Sequence, residues 1–192
     1  MSKTASLPSE ITAALPLGYT IRELQKTDKA EVLEVLTVLT TVGDITNAAW
    51  DERFEYISKH DDTYTILCII DDEGKVCATG SLIIERKLLV SILVSVEVWW
   101  NSSAIANNGL GLNSGVSSIR NCGLVGHIED IAVAKDQQGK KLGLRMINAL
   151  DHIAEKAGCY KSILDCSENN RGFYEKCGFK FAGVEMAHYY NK

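Results

Sequence analysis

The chain has 192 residues, 46% of them apolar, and a formal charge of -5. At that length one domain buries roughly 70% of the surface its unfolded chain exposes, so neither a disulfide staple nor a second domain is required. The acidic balance argues against a nucleic-acid face, which needs a concentrated basic stripe. The longest apolar stretch, Leu88 to Trp100, is broken by Ser91, Ser95 and Glu97 and falls short of the ~20 residues of a spanning helix, which argues against a membrane protein.

Taken in chain order, residues 1–18 are a Ser/Thr/Ala/Pro lead ending in Pro16-Leu17-Gly18 and are expected to be a flexible arm. A single domain is expected over 19–192. Tyr19 to Leu24 alternates as a strand, and Thr27-Asp28 with Glu31 three residues beyond the aspartate caps a helix carrying Val32, Val35, Leu36 and Leu39 on one face. Thr46 opens a second helix with Trp50, Phe54 and Ile57 as its stripe. Thr65 to Asp71 and Val76 to Glu85 read as strands joined by an Asp72-Glu73-Gly74 hairpin turn.

Gly126 to Val133 alternates as a strand and runs into Gln138-Gly139-Lys140-Lys141-Leu142-Gly143. Leu142, Met146, Leu150, Ile153 and Ala157 then keep helical spacing up to Gly158. Ser162 to Asp165 reads as a short strand, Asn170 to Cys177 as a helix stopped by Gly178, and Phe179 to Tyr189 as a last strand. This order predicts an α/β (α+β) domain with a mixed, mostly antiparallel sheet flanked by helices.

The loop Gln138 to Gly143 presents backbone N–H groups, the positive end of a helix dipole and two lysines, so a pyrophosphate-bearing molecule is the natural occupant. Glu129 and Asp130 precede it, one pointing inward and the other outward because side chains alternate along a strand. His127 has no second ligand at metal spacing and reads as structural, so no metal is expected. The six cysteines form no Cys-x-x-Cys pair and sit mostly in apolar runs, which predicts reduced, buried thiols and a cytoplasmic protein. The start of the chain lacks a basic stretch followed by an apolar one, so no secretory leader is expected. Cys166 beside Asp165 has no nearby histidine to activate it as a nucleophile.

Several segments together resemble the GNAT superfamily of acetyl-CoA-dependent N-acetyltransferases, and within it the glucosamine-6-phosphate N-acetyltransferases. They are Leu39 to Gly43, Ile83 to Lys87, Gly126 to Val133, Cys159 to Lys161, Leu164 to Cys166, and Asn170 with Phe173 to Phe179. The resemblance implies transfer of acetyl from acetyl-CoA to the 2-amino group of glucosamine 6-phosphate by direct attack in a ternary complex, serving UDP-N-acetylglucosamine supply in a homodimer. It assigns Ile131, Ala132, Val133 and Asn170 to the acyl and pantetheine arm, and Gln138, Gly139, Lys140, Lys141, Leu142, Gly143 and Leu144 to the pyrophosphate. Tyr174 would donate to the CoA sulfur. Glu129, Asp130 and Asp165 would orient or deprotonate the amine, and Thr40, Lys87, Tyr160 and Lys161 would contact the sugar phosphate.

Three departures accompany the resemblance. Lys141 stands where the family's first loop glycine is usual, so close backbone approach there is possible if Lys141 keeps an ordinary helical or bridge conformation. Val184-Glu185-Met186 is followed by Ala187-His188-Tyr189 rather than by an arginine, leaving His188 or Lys192 as substitutes at the phosphate. Residues 89–118 are inserted where relatives have a tight connection, either as a flap or interface element over the sugar site or as a disordered loop or untrimmed non-coding sequence. The alternatives left by the residues are a GNAT acting on another small amine and a non-catalytic acyl-CoA-binding module.

Overall fold

Alternating apolar residues build a five-stranded sheet in the computed structural model, which describes residues 7–90 and 120–190. The strands are β1 (Thr20–Glu23), β2 (Tyr64–Ile70), β3 (Val76–Arg86), β4 (Leu89–Val90), β5 (Arg120–Asn121), β6 (Leu124–Val133) and β7 (Cys159–Ile163). The main sheet runs β1-β2-β3-β6-β7. Antiparallel ladders join β1 to β2 and β2 to β3, the latter through a turn in which Asp71 Oδ1 accepts the Glu73 and Lys75 N–H groups at 3.1 and 2.9 Å. Ala134 N–H donates to Cys77 O at 2.9 Å, and His127 lies against Glu85, so β3 and β6 are also antiparallel. The final pair, β6 and β7, is parallel.

The helices are α1 (Ser9–Ala13), α2 (Lys29–Leu36), α3 (Asn47–Lys59), α4 (Leu142–Lys156) and α5 (Arg171–Lys176). Helix α4 covers one sheet face with Leu142, Met146, Ile147, Leu150 and Ile153, each at most 5% exposed, and burying each contributes about 1.5–3 kcal/mol. Val32 and Val35 of α2 cover the other face with Cys68, Val76 and Ala132. Gly80 lets α4 approach: a Cβ there would lie 2.5 Å from Ile131 Cδ1 and 2.8 Å from Met146 Cγ.

Four expectations need correction. From residue 7 on the lead is held in place, because Leu7, Ile11 and Leu15, on and around α1, pack on the α4-side core, while residues 1–6 lie outside the described residues. The first cap is a 3₁₀ turn, Lys26–Asp28, in which Asp28 accepts the Gln25 N–H at 2.7 Å and pairs with Arg22 at 2.6 and 2.9 Å. Glu31 instead accepts the Val76 N–H at 2.6 Å, and because α2 stops at Leu36, Leu39 falls off its buried face and is 49% exposed. Residues Phe179 to Tyr189 form no strand, since an extended segment becomes one only by pairing and this one has no ladder partner among the described residues. Of the cysteines, all free, only Cys68 and Cys77 are buried, while Cys122 and Cys166 are exposed.

The chain divides into two compact units, Met1–Glu85 with Leu124–Lys192, and Arg86–Gly123. In the second, Leu89 pairs with Asn121 and Val90 with Arg120, and Cys122 N–H donates to Leu88 O at 3.0 Å. Residues 91–118 of the insertion lie outside the described residues.

Candidate active site

The parallel ladder between β6 and β7 ends at His127 and Ile163. From Ile128 to Val133 the backbone edge of β6 is therefore not paired with β7. The divergence coincides with an irregularity at Asp130, whose φ is 55°. Gly126 and Ile128 face α4 before it, and Ile131 and Val133 face α4 after it, so one additional residue is accommodated there, as in a β-bulge. The regular alternation expected of Glu129 and Asp130 fails for this reason.

After β6 the chain makes a 3₁₀ turn, Lys135–Gln137, and reaches α4 through Gly139 (φ 85°) and Lys141 (φ 63°, ψ 19°). Lys141 does not meet the helical or bridge condition: it is left-handed, keeps the glycine-type backbone and carries the strain itself. No side chain caps α4, whose first closing bond runs from Arg145 N–H to Lys141 O at 3.1 Å. The N–H groups of Leu142, Gly143 and Leu144 have no intrahelical acceptor, and the helix dipole adds positive potential. This is the feature an anionic ligand requires, and it adjoins the free edge of β6. At Gly143 an added Cβ would lie 3.3 Å from Phe173 Cζ and 3.6 Å from Val133 Cγ2, so α5 closes over the start of α4.

Carboxylates gather beside this edge. Burial first, then the charges of Asp130 and Asp165, push the half-buried Glu129 carboxyl above the ordinary range, and Glu185 adds to the effect while His127 opposes it. Tyr174, on α5, is half-buried, and burial together with nearby Cys166, Cys177 and Glu129 raises its phenol. Its hydroxyl has no hydrogen bond among the described residues. Asp165, Cys166, Tyr174 and Glu185 line a cleft of about 360 Å³. A groove of about 500 Å³ between α3 and β2 is lined by none of the candidate site residues.

The remaining candidates are distributed unevenly. Lys161 lines the cleft with its Nζ 5.5 Å from the Tyr160 ring centroid. Ile131 and Ala132 bury their side chains in opposite faces of the sheet and can offer only backbone groups. Asn170 is exposed at the N-terminus of α5, and Thr40 is exposed after α2. Lys87 belongs to the second unit, where its N–H donates to Gly123 O at 2.9 Å. His127 Nε2 lies 2.8 Å from Glu85 Oε2. His188 stacks on Tyr190 at 5.0 Å, and Lys192 lies outside the described residues. Sequence reasoning used Val184-Glu185-Met186 only to look for the phosphate-binding arginine and missed Glu185 itself as a member of the carboxylate group, 56 residues from Glu129.

A strand that diverges from its parallel neighbour beside an uncapped helix is thus built by β6, β7 and α4, and the match to the Acetyltransferase (GNAT) family spans residues 30–179. The chain belongs to the GNAT family. Glucosamine 6-phosphate N-acetyltransferase of Candida albicans is 43% identical to it over 173 residues, covering 90% of this chain and 96% of the relative. The corresponding protein of Dictyostelium discoideum is 41% identical, with 90% and 91% covered. The crystal structure of the glucosamine-6-phosphate N-acetyltransferase of Arabidopsis thaliana superposes with a TM-score of 0.71 at 35% identity, covering 90% of this chain and 99% of that one. Membership in the GNAT family accounts for the sheet, the loop and α4 together.

Proposed function

We propose that this GNAT protein transfers acetyl from acetyl-CoA to the 2-amino group of glucosamine 6-phosphate, giving N-acetylglucosamine 6-phosphate and CoA for UDP-N-acetylglucosamine synthesis. The observation that carries the reading is the free edge of β6 between an uncapped α4 and a set of carboxylates facing Tyr174. Acetyl-CoA supplies an activated acyl group with a good leaving thiolate. The N–H groups from Gln138 to Leu144, with Lys140 and Lys141, hold its pyrophosphate. Backbone groups of Ile131 to Val133 hold the acyl arm beside Asn170.

An aminosugar arrives as an ammonium and attacks only after losing a proton. Glu129, with its raised carboxyl, is the acceptor suited to that task, and Asp130 and Asp165 orient the amine. Tyr174 remains protonated at neutral pH and donates to the departing sulfur. Thr40, Tyr160 and Lys161 bind the sugar phosphate, with His188 in place of the usual arginine. Cys166 shares the cleft with Tyr174 but forms no acyl intermediate, because the amine attacks the thioester directly.

The extended tail exposes Phe181, Val184, Met186, Tyr189 and Tyr190 by 63–93%. Such a run of apolar side chains suits a protein contact and supports a homodimer. The free thiols support a reducing, cytoplasmic location. Mass analysis of the sugar product and initial rates at varied concentrations of both substrates test the reading. Acetyl on N2 with intersecting rate lines is expected; no acetylated sugar, or parallel lines from an acyl-enzyme, would overturn it.

A further inference from the structure

Tyr19 precedes β1, 118 residues from Gln137, yet its hydroxyl reaches the turn before α4. Tyr19 Oη donates to Gln137 Oε1 at 2.6 Å, while Lys140 Nζ donates to Tyr19 Oη at 2.6 Å and to Gln137 Oε1 at 2.7 Å. The ammonium also lies 5.3 Å from the Tyr19 ring centroid. Tyr19 is itself fixed, its ring packed on the α4-side core and its N–H donating to Pro16 O at 3.1 Å. Both acceptors of the ammonium are neutral. Among the described residues no carboxylate forms an ion pair with Lys140. The positive charge is thus held by two neutral acceptors, with the Asp136 carboxylate acting on it through space and not as an ion-pair partner, on a loop residue flanked by left-handed Gly139 and Lys141.

A lysine side chain that is ordered before binding loses less freedom when an anion arrives, so pre-ordering it strengthens binding without any new contact. Resting on the acetyl-CoA reading above, we infer that Tyr19 and Gln137 are positioning residues that pre-order Lys140 for the cofactor's phosphates. They act through Lys140 and touch no reacting atom. The hydrogen bond from Lys140 to Tyr19 raises the ammonium's pKa further, so its charge is constant across neutral pH.

The test compares wild type, Tyr19→Phe, Lys140→Met and the double variant, all as full chains, by equilibrium binding and steady-state kinetics. Two acyl donors are used, acetyl-CoA and acetyl-pantetheine, which lacks the nucleotide and its phosphates. Tyr19→Phe should weaken acetyl-CoA binding and raise its KM about 3–10-fold, the range for one lost hydrogen bond to a charged group. Its kcat should stay within about two-fold, and acetyl-pantetheine should bind unchanged. The double variant should bind acetyl-CoA no more weakly than Lys140→Met alone, because both changes remove one interaction. Additive losses, equal losses with both thioesters, or no effect of Tyr19→Phe would overturn the inference while leaving the acetyltransferase reading intact. Wild type that fails to bind acetyl-CoA would remove both. Gln137→Met repeats the comparison with the same expectations if Tyr19→Phe folds poorly.

Discussion

A carboxylate set among other carboxylates and partly withdrawn from water holds its proton to higher pH, and Glu129 is in that position. If it is the base, kcat/KM rises with pH through a midpoint above the ordinary carboxylate range, and Glu129→Gln loses about 10²-fold or more in rate along with that limb. The sign of the stability effect is opposite. A carboxyl whose folded pKa is raised contributes stability below its unfolded pKa and loses it as pH rises through the folded value. Glu129→Gln should therefore melt higher than wild type at pH 7 and show no gain near pH 4. Tyr174 is tested separately: Tyr174→Phe should lower kcat about 10–10²-fold with little change in the acetyl-CoA KM, and an unchanged kcat would remove it as the donor. Lys141 bears left-handed strain that the family's glycine avoids, so Lys141→Ile should lose about 1–2 kcal/mol in denaturant unfolding and Lys141→Gly should lose nothing.

At the scale of elements, α4 is the most legible part of the chain. Leu142, Met146, Leu150 and Ile153 announce it by spacing, and all four are buried. What spacing could not reveal is the approach of α4 at Gly80, where a methyl group would meet Ile131 and Met146. Gly80→Ala should cost about 1–3 kcal/mol of stability through overpacking, measured by chemical unfolding, and a neutral result would mean that the sheet and helix separate freely. The divergence at Asp130 was equally hidden, because an alternating sequence carries no mark of where a ladder stops. The tail was misread for a related reason: Phe179 to Tyr189 has strand-like residues, but pairing depends on a neighbour that a local pattern does not encode. Tyr19 and Gln137 lie too far apart in sequence for any motif to join them.

At the scale of the whole molecule, Leu89–Val90 already pairs with Arg120–Asn121, so the ends of the insertion are closed by a ladder. Replacing residues 91–119 by an Asn-Gly turn should preserve the cooperative melt, since shortening a loop lowers its closure entropy and Asn-Gly suits a two-residue hairpin. A lost transition would show that the insertion belongs to the fold. Light scattering should give twice the 21.1 kDa chain mass if the exposed tail joins two copies, and a monomer would contradict the dimer. The family was readable from ordered motifs running from Leu39 to Phe179, whereas the acceptor side was not, because no local pattern marks the residue that replaces the usual arginine. The most direct measurement is CoA-thiol release from acetyl-CoA by the purified chain with glucosamine 6-phosphate, compared with glucosamine and a polyamine. Release selective for the sugar phosphate is predicted; equal release with all three amines, or binding of acetyl-CoA without release, would contradict the account.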